Sequence, residues 1–150
     1  MRLRLADASD ADALATLFTA SRALLTFLPA LHSAAEDRRF IGEQVLTALR
    51  VTVAEDGEGS LLGFIAEDEG WIEHLYLAPD ARRMGIGTSL LNAAKLRQTQ
   101  LDLWCFAENF PARAFYERHG FVAVEQTDGA RNESRRPDVC YRWINPARGG

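Results

Sequence analysis

Lysine is nearly absent from this chain: of 17 basic residues among 150, Lys95 is the single lysine and the rest are arginine. Beside the many alanines this reads as compositional bias rather than chemistry. Cysteine is scarce too, with only Cys105 and Cys140, both inside apolar strand-like runs. That excludes a disulfide scaffold and predicts two buried, reduced thiols. No run approaches the ~18 apolar residues of a membrane span, so no membrane partner is expected. The start, Met1-Arg-Leu-Arg-Leu5, alternates like a strand and lacks a long apolar signal core, which predicts a cytoplasmic protein. There is no basic excess: the net charge of −4 argues against a general nucleic-acid binder. Three scattered histidines, His32, His74 and His119, show no ligand spacing, so no metal site is expected.

What is present fits one globular domain over residues 1–150, 47% apolar and 25% charged. Residues 2–5 read as a strand. Asp7-Ala-Ser-Asp10 offers N-cap chemistry for a first helix, with Leu14, Leu17, Phe18, Leu24, Leu25 and Leu28 as its stripe, ending near Pro29. Ser33 and Glu36 stand at capping-box spacing ahead of a second helix that buries Phe40, Ile41, Val45, Leu46 and Leu49. Val51–Ala54, Leu61–Ala66 and Trp71–Leu77 read as strands joined by Gly-containing acidic turns. A helix over Gly85–Arg97, a strand over Leu101–Phe106, and a helix from Asn109 to His119 follow. Strands over Phe121–Val124 and Val139–Ile144 enclose a polar loop, Thr127–Asp138. The order predicts a mixed α/β fold with a central sheet covered by helices.

The organising stretch is Leu75 to Thr88: an apolar strand, then Ala78-Pro-Asp80, two arginines, two glycines and a helix. A helix start leaves backbone N–H groups unpaired at an electropositive end. Glycines at 85 and 87 let an anion come close to them, and Arg82 and Arg83 add charge, so the junction suits a pyrophosphate. The spacing lacks the third glycine of a dinucleotide fingerprint and the Gly-Lys-Ser/Thr of a nucleotide P-loop.

The wider pattern, Leu75-x-Leu77-x-Pro79 followed by Arg82-x-x-Gly85-x-Gly87, resembles the acyl-CoA motif of the GNAT N-acetyltransferase superfamily. Asn109-x-x-Ala112-Arg-Ala-Phe-Tyr116-Glu-Arg-His-Gly-Phe121 resembles its downstream motif. The resemblance implies a mostly antiparallel central sheet, flanked by helices, whose central strands splay apart to admit a pantetheine arm. It also implies acetyl-CoA as co-substrate and no metal.

By resemblance, backbone groups of Leu75, Tyr76 and Leu77 would hold the pantetheine and the thioester carbonyl. The backbone of Arg83, Met84, Gly85, Ile86, Gly87 and Thr88, with the Arg82 side chain, would hold the pyrophosphate. Asn109 would reach the pantetheine amide, Arg113 belongs to the same cofactor set, and Tyr116 would protonate the departing thiolate. On the residues alone, Tyr116 also reads as a core aromatic and Asn109 as a plain N-cap.

Transfer to an amine needs a proton acceptor, and the candidates are Glu73 and His74. Neighbouring strand side chains face opposite ways, so at most one looks into the site. His32 falls where the family builds its acceptor pocket, or at a helix start. Cys105 lacks an activating neighbour in sequence and reads as inert. His119, before a helix-stopping glycine, reads as structural. Arg131, Arg135 and Arg136 make the 127–138 loop a solvated face or a substrate lid that sets acceptor specificity. Acidic clusters at 55–58 and 67–73 hint at a cationic acceptor. The expected activity is acetyl transfer to a primary amine of a small molecule or peptide, directly within a ternary complex. The alternatives are a protein N-terminal or lysine acetyltransferase, or a non-catalytic acyl-CoA sensor. An edge strand leaves room for a homodimer.

Overall fold

The period-two apolar segments form strands β1 (Arg2–Leu5), β2 (Arg50–Glu55), β3 (Leu61–Asp68), β4 (Trp71–Leu77), β5 (Gln100–Phe106), β6 (Val122–Thr127) and β7 (Asp138–Ile144) in a computed structural model. It describes residues 1–82 and 84–146, so Arg83 lies outside the described residues. The strands make one seven-stranded sheet in the order β1-β2-β3-β4-β5-β7-β6. Every neighbouring pair is antiparallel except β4 with β5.

Helices cover both faces. On one lie α1 (Ala11–Arg22) and α2 (Ala34–Phe40), which runs through a π-helical stretch, Ile41–Val45, into the short α3 (Leu46–Ala48). Leu14, Phe18, Ile41 and Val45 pack there against Val51, Val53 and Phe64. On the other face α4 (Ile86–Arg97) and α5 (Phe110–Arg118) bury Ile86, Leu90, Leu91 and Tyr116 against Ile65, Ile72, Leu103 and Tyr141. Each fully buried aliphatic side chain contributes about 1.5–3 kcal/mol.

The local chemistry foreseen at the helix starts is present. Asp7 accepts from Ser9 N, and Asp10 returns a bond to Asp7 N. Ser33 and Glu36 form a reciprocal capping box. Asn109 accepts from Ala112 N at 3.3 Å.

The largest boundary difference is in the first helix, while β3 extends to Asp68 and β6 to Thr127. The first helix stops at Arg22, not near Pro29, and Leu24 is 44% exposed. Ser21 Oγ donates to the carbonyl of Leu77 at the end of β4, and beyond it the backbone turns through i→i+3 bonds. A continued stripe would find no apolar surface for Leu24, and a helix whose stripe buries nothing has little to hold it.

Glycine at 63, inside β3, permits a close approach. A Cβ there would lie 2.8 Å from Leu77 Cδ2, 3.0 Å from Tyr76 O and 3.3 Å from Ile86 Cγ2. This is the usual meaning of a glycine inside a strand, and it seats the start of α4 against the sheet.

Candidate functional site

The sheet is split at its centre. β4 and β5 pair only at Trp71↔Asp102 and Ile72↔Leu103, where Asp102 N also donates to Gly70 O at 2.8 Å. From there each strand follows its other neighbour: β4 stays with β3 to Gly63↔Leu77, and β5 stays with β7 to Phe106↔Asp138. Two antiparallel partners pulling apart open a wedge. Its closed end is held by buried acids with arginine partners: Asp102 accepts from Arg142 at 2.9 and 3.1 Å, and Glu67 pairs with Arg97.

A bulge sets which side chains face which way. The β3–β4 register shifts between Ala66 and Glu67, so Glu73 is the extra residue. Ile72 therefore shares the α4 face with Leu75 and Leu77, while His74 and Tyr76 turn to the α1 face. Simple alternation would have put Ile72 and His74 together. His74 meets Phe18 at 5.8 Å and Phe40 at 5.6 Å between ring centroids. Glu73 is exposed and forms no wall of the cleft described below. Of the two proton-acceptor candidates, the fold brings in His74.

The wedge leaves the β5-facing edge of β4 beyond Ile72 without a strand partner. Ala78 N donates to Leu62 O on the β3 side, so the groups of Leu75 and Leu77 face the wedge. Leu77 O is taken by Ser21. Beside this edge α4 begins at Gly85, an N-cap with φ of 75° and no side-chain cap bond. A Cβ on Gly85 would meet nothing within 4 Å among the described residues. An uncapped helix start with open space before it fits an anionic ligand. Arg82 and Met84 flank it in solvent. Gly87 has a different reason to be glycine: a Cβ there would sit 3.3 Å from Phe115 Cζ. Thr88 Oγ1 lies 3.2 Å from His119 Nε2, so this pair ties α4 to the end of α5.

α5 brings Tyr116 to the wedge. Its ring packs with Phe115, Phe121 and Tyr141. Burial, reinforced by Cys105 on β5 and Tyr76 on β4, holds the phenol well above the usual tyrosine range, so it stays protonated. Arg113, expected with the cofactor set, instead donates to Tyr141 Oη at 3.0 Å and Ala107 O at 3.1 Å. Burial pushes the Cys105 thiol up to about 12, consistent with an inert cysteine.

On the opposite face the wedge opens into a cleft of about 570 Å³. His74 from β4 and Phe106 from β5 both line it, so it lies at the mouth of the gap. Phe18 and Arg22 of α1, Glu43 and Gln44 of the π-helical stretch, and Asn132, Glu133 and Ser134 of the 127–138 loop complete it. The loop meets the helical side through His32, which contacts Glu133 Oε1 with Nε2 and Glu36 Oε2 with Nδ1 at 3.5 Å. Of the loop arginines, Arg136 pairs with Glu108. The acidic clusters at 55–58 and 67–73 form none of the cleft's walls, which removes the basis for the cationic-acceptor hint. Glu55 instead pairs with Arg2 and Arg4, and Glu67 with Arg97.

The two cleft histidines are pulled in opposite directions. Burial, then the charge of Arg22, pushes His74 down to about 4, so its ring is neutral at pH 7. Hydrogen bonds that the ring donates to Glu133 and Glu36 raise His32. A raised histidine favours the latched loop below the ordinary pKa of ~6.5 and releases that contribution as pH climbs through the raised value. A lowered one costs stability as pH falls below ~6.5 toward its folded value. An NMR titration of the ring protons will show His32 with a midpoint above ~6.5 that drops in Glu133→Gln, and His74 unprotonated at pH 6. A His74 midpoint near ~6.5 would refute its burial in the cleft wall.

A sheet split beside an uncapped helix start, with a cleft across the gap, is the arrangement of the acyl-CoA N-acyltransferase fold. A profile of the acetyltransferase (GNAT) domain matches residues 47–123, and the chain belongs to that family. It is similar to the peptidyl-lysine N-acetyltransferase YiaC of Escherichia coli, 38% identical over 87 residues that make up 57% of this chain and 58% of that protein. It also resembles the uncharacterized N-acetyltransferase MJ1207 of Methanocaldococcus jannaschii, 34% identical over 47% of this chain and 38% of that one. The matched regions thus span roughly half the length of these relatives. Among solved structures, apo YjaB of Escherichia coli superposes with a TM-score of 0.79 at 19% identity, covering 96% of this chain and 97% of that one. A point mutant of spermidine N-acetyltransferase SpeG of Vibrio cholerae gives 0.69 at 19% identity, over 97% and 95%.

Three features of the site were not read from the sequence. Gly63 carried a signal, being a lone glycine in an apolar strand. Ser21 and Arg22 carried none, because their partners, Leu77 and Tyr76, lie on another element.

Proposed function

We propose that this chain transfers an acetyl group from acetyl-CoA to an amine held in the cleft, directly and within a ternary complex. The observation that carries this reading is the wedge: β4 and β5 part after two paired residues, beside an uncapped helix start and behind a lined cleft. Family membership supports it.

Bound acetyl-CoA supplies an activated acyl group: the amine nitrogen bonds to its carbonyl carbon, the carbon–sulfur bond breaks, nitrogen loses a proton and sulfur gains one. The chain's residues divide the remaining work. The free N–H groups of Leu75 and Leu77 take the peptide-like arm and the acyl oxygen, while the backbone from Met84 to Thr88 with Arg82 takes the pyrophosphate, Arg83 belonging to the same proposed set. Asn109 caps α5 and in this reading also meets the arm. Tyr116 Oη is the group this reading assigns to protonate sulfur. His74, neutral and at the mouth of the gap, accepts the proton from the amine. Similarity to YiaC favours a peptidyl-lysine acceptor as a second reading.

Calorimetric titration with acetyl-CoA, followed by an assay of thiol release over a panel of amines, tests the proposal. Stoichiometric binding and amine-dependent release support it. Binding with no release over the panel moves the chain to the sensor class, and no binding ends the reading.

The 127–138 loop supplies another check. Gly129 has φ of 86°, and a Cβ there would lie 2.3 Å from the backbone of Arg136. Gly129→Ala must open the loop that carries Asn132 and Glu133. We expect KM for the acceptor to rise roughly ten- to hundredfold, with acetyl-CoA affinity unchanged, in steady-state kinetics.

A further inference from the structure

Counting charges misrepresents the cleft. Its walls hold four carboxylates against two arginines and two histidines, one of them the neutral His74, which reads as a site for a cation. Three of the four carboxylates have partners within the wall. Glu36 and Glu133 both contact His32, and Glu36 also accepts from Ser33 N at 3.0 Å. Asp37 is buried and accepts from Thr19 Oγ1 at 2.7 Å. Most of the negative charge is engaged within the wall.

Arg22 is not engaged in that way. It sits in the last turn of α1, half-buried, with Nη1 donating to Tyr76 Oη at 3.0 Å and its guanidinium carbon 5.5 Å from the centre of the Phe18 ring. Among the described residues no carboxylate lies within ion-pair distance of it. A guanidinium has five N–H donors, and a neutral phenol takes one. A cation drawn partly out of water with no counter-ion is costly, and a planar fork matches a carboxylate or phosphonate. Arg22 also bears on His74, the proposed proton acceptor, so an anion bound to Arg22 would relieve the charge that disfavours protonation of that ring.

We propose that Arg22 anchors an anionic oxygen group of the acceptor, so that the cleft takes small amines bearing a carboxylate or phosphonate, such as amino acids, rather than polyamines or a protein lysine. The aromatic walls at Phe18, Phe40 and Phe106 then pack the acceptor's apolar part, and the amine projects toward the wedge. A cleft of about 570 Å³ encloses a molecule of this size. This inference rests on the acetyl-transfer reading.

The test compares amino acids with the amines left by removing their carboxylates, and includes aminoalkylphosphonates, polyamines and a lysine-containing peptide. Thiol release is measured for wild type, Arg22→Gln and Arg22→Lys. We expect wild type to favour the anionic member of each pair by about ten- to hundredfold in kcat/KM. Arg22→Gln should erase that preference by raising KM for the anionic member of each pair, and Arg22→Lys should restore part of it. The carboxylate and phosphonate arms tell which anion is preferred. A preference for decarboxylated amines, polyamines or the peptide overturns the anchor, as does a carboxylate preference that survives Arg22→Gln. Calorimetry with acetyl-CoA separates the two levels. Binding without the anion preference defeats the anchor alone, whereas no acetyl-CoA binding in wild type defeats the functional reading and the anchor with it.

Discussion

Gly85→Glu is expected to abolish acetyl-CoA binding, raising Kd at least about a hundredfold, an effect of about 3 kcal/mol. Two causes add. Gly85 holds the left-handed conformation, φ 75° and ψ 10°, that starts α4, and a side chain with a Cβ costs about 1–2 kcal/mol there. The carboxylate would also stand where the open helix start meets the pyrophosphate, placing like charges together. Gly85→Asn separates the two, because asparagine tolerates this conformation and brings no charge. Its Kd should stay within about tenfold of wild type, since it retains at most the conformational cost. Among the described residues nothing lies within 4 Å of a Cβ at Gly85, so neither variant needs the core to move. Calorimetric titration of the three proteins checks this. Equal affinity in wild type and Gly85→Glu would remove the pyrophosphate from this helix start.

Tyr116→Phe should lower kcat by about 10²–10³-fold while leaving both KM values near wild type. The ring is held by Phe115, Phe121 and Tyr141, contacts that phenylalanine keeps. The described hydrogen bonds include none from the Tyr116 hydroxyl, so its loss should leave folding stability within about 1 kcal/mol. A change in kcat alone is the signature of a group that acts only during bond breaking, and a packing residue would instead shift stability or binding. Steady-state kinetics beside thermal unfolding reads both. Unchanged kcat would assign protonation of sulfur to water and reduce Tyr116 to a core aromatic.

Much of the architecture was legible before folding because its causes are local. Alternation in Trp71–Leu77, the Ser33–Glu36 capping box, the Asn109 cap followed by Pro111, and the glycine at 85 act through neighbours a few residues away. The two motifs stood out for the same reason, since each is a turn or helix start built from contiguous residues. The end of the first helix was misjudged because a stripe of leucines continues past Arg22 while the surface that would bury it does not.

The sequence by itself determined which segments are strands and helices, where α4 starts, and that the start is glycine-opened and flanked by arginine. Only the tertiary structure decided how the site is assembled. The bulge at Glu73 turned His74 into the cleft and left Glu73 in solvent, a choice that depends on register with β3. The wedge depends on β4 and β5 each following a different antiparallel partner. Arg113 was drawn to Tyr141, and Arg22 was left without a carboxylate, through contacts between residues 28 and 54 positions apart. Hydrogen bonds and charges act over a few ångströms in space, and until the sheet sets which distant residues meet, sequence spacing says nothing about those distances.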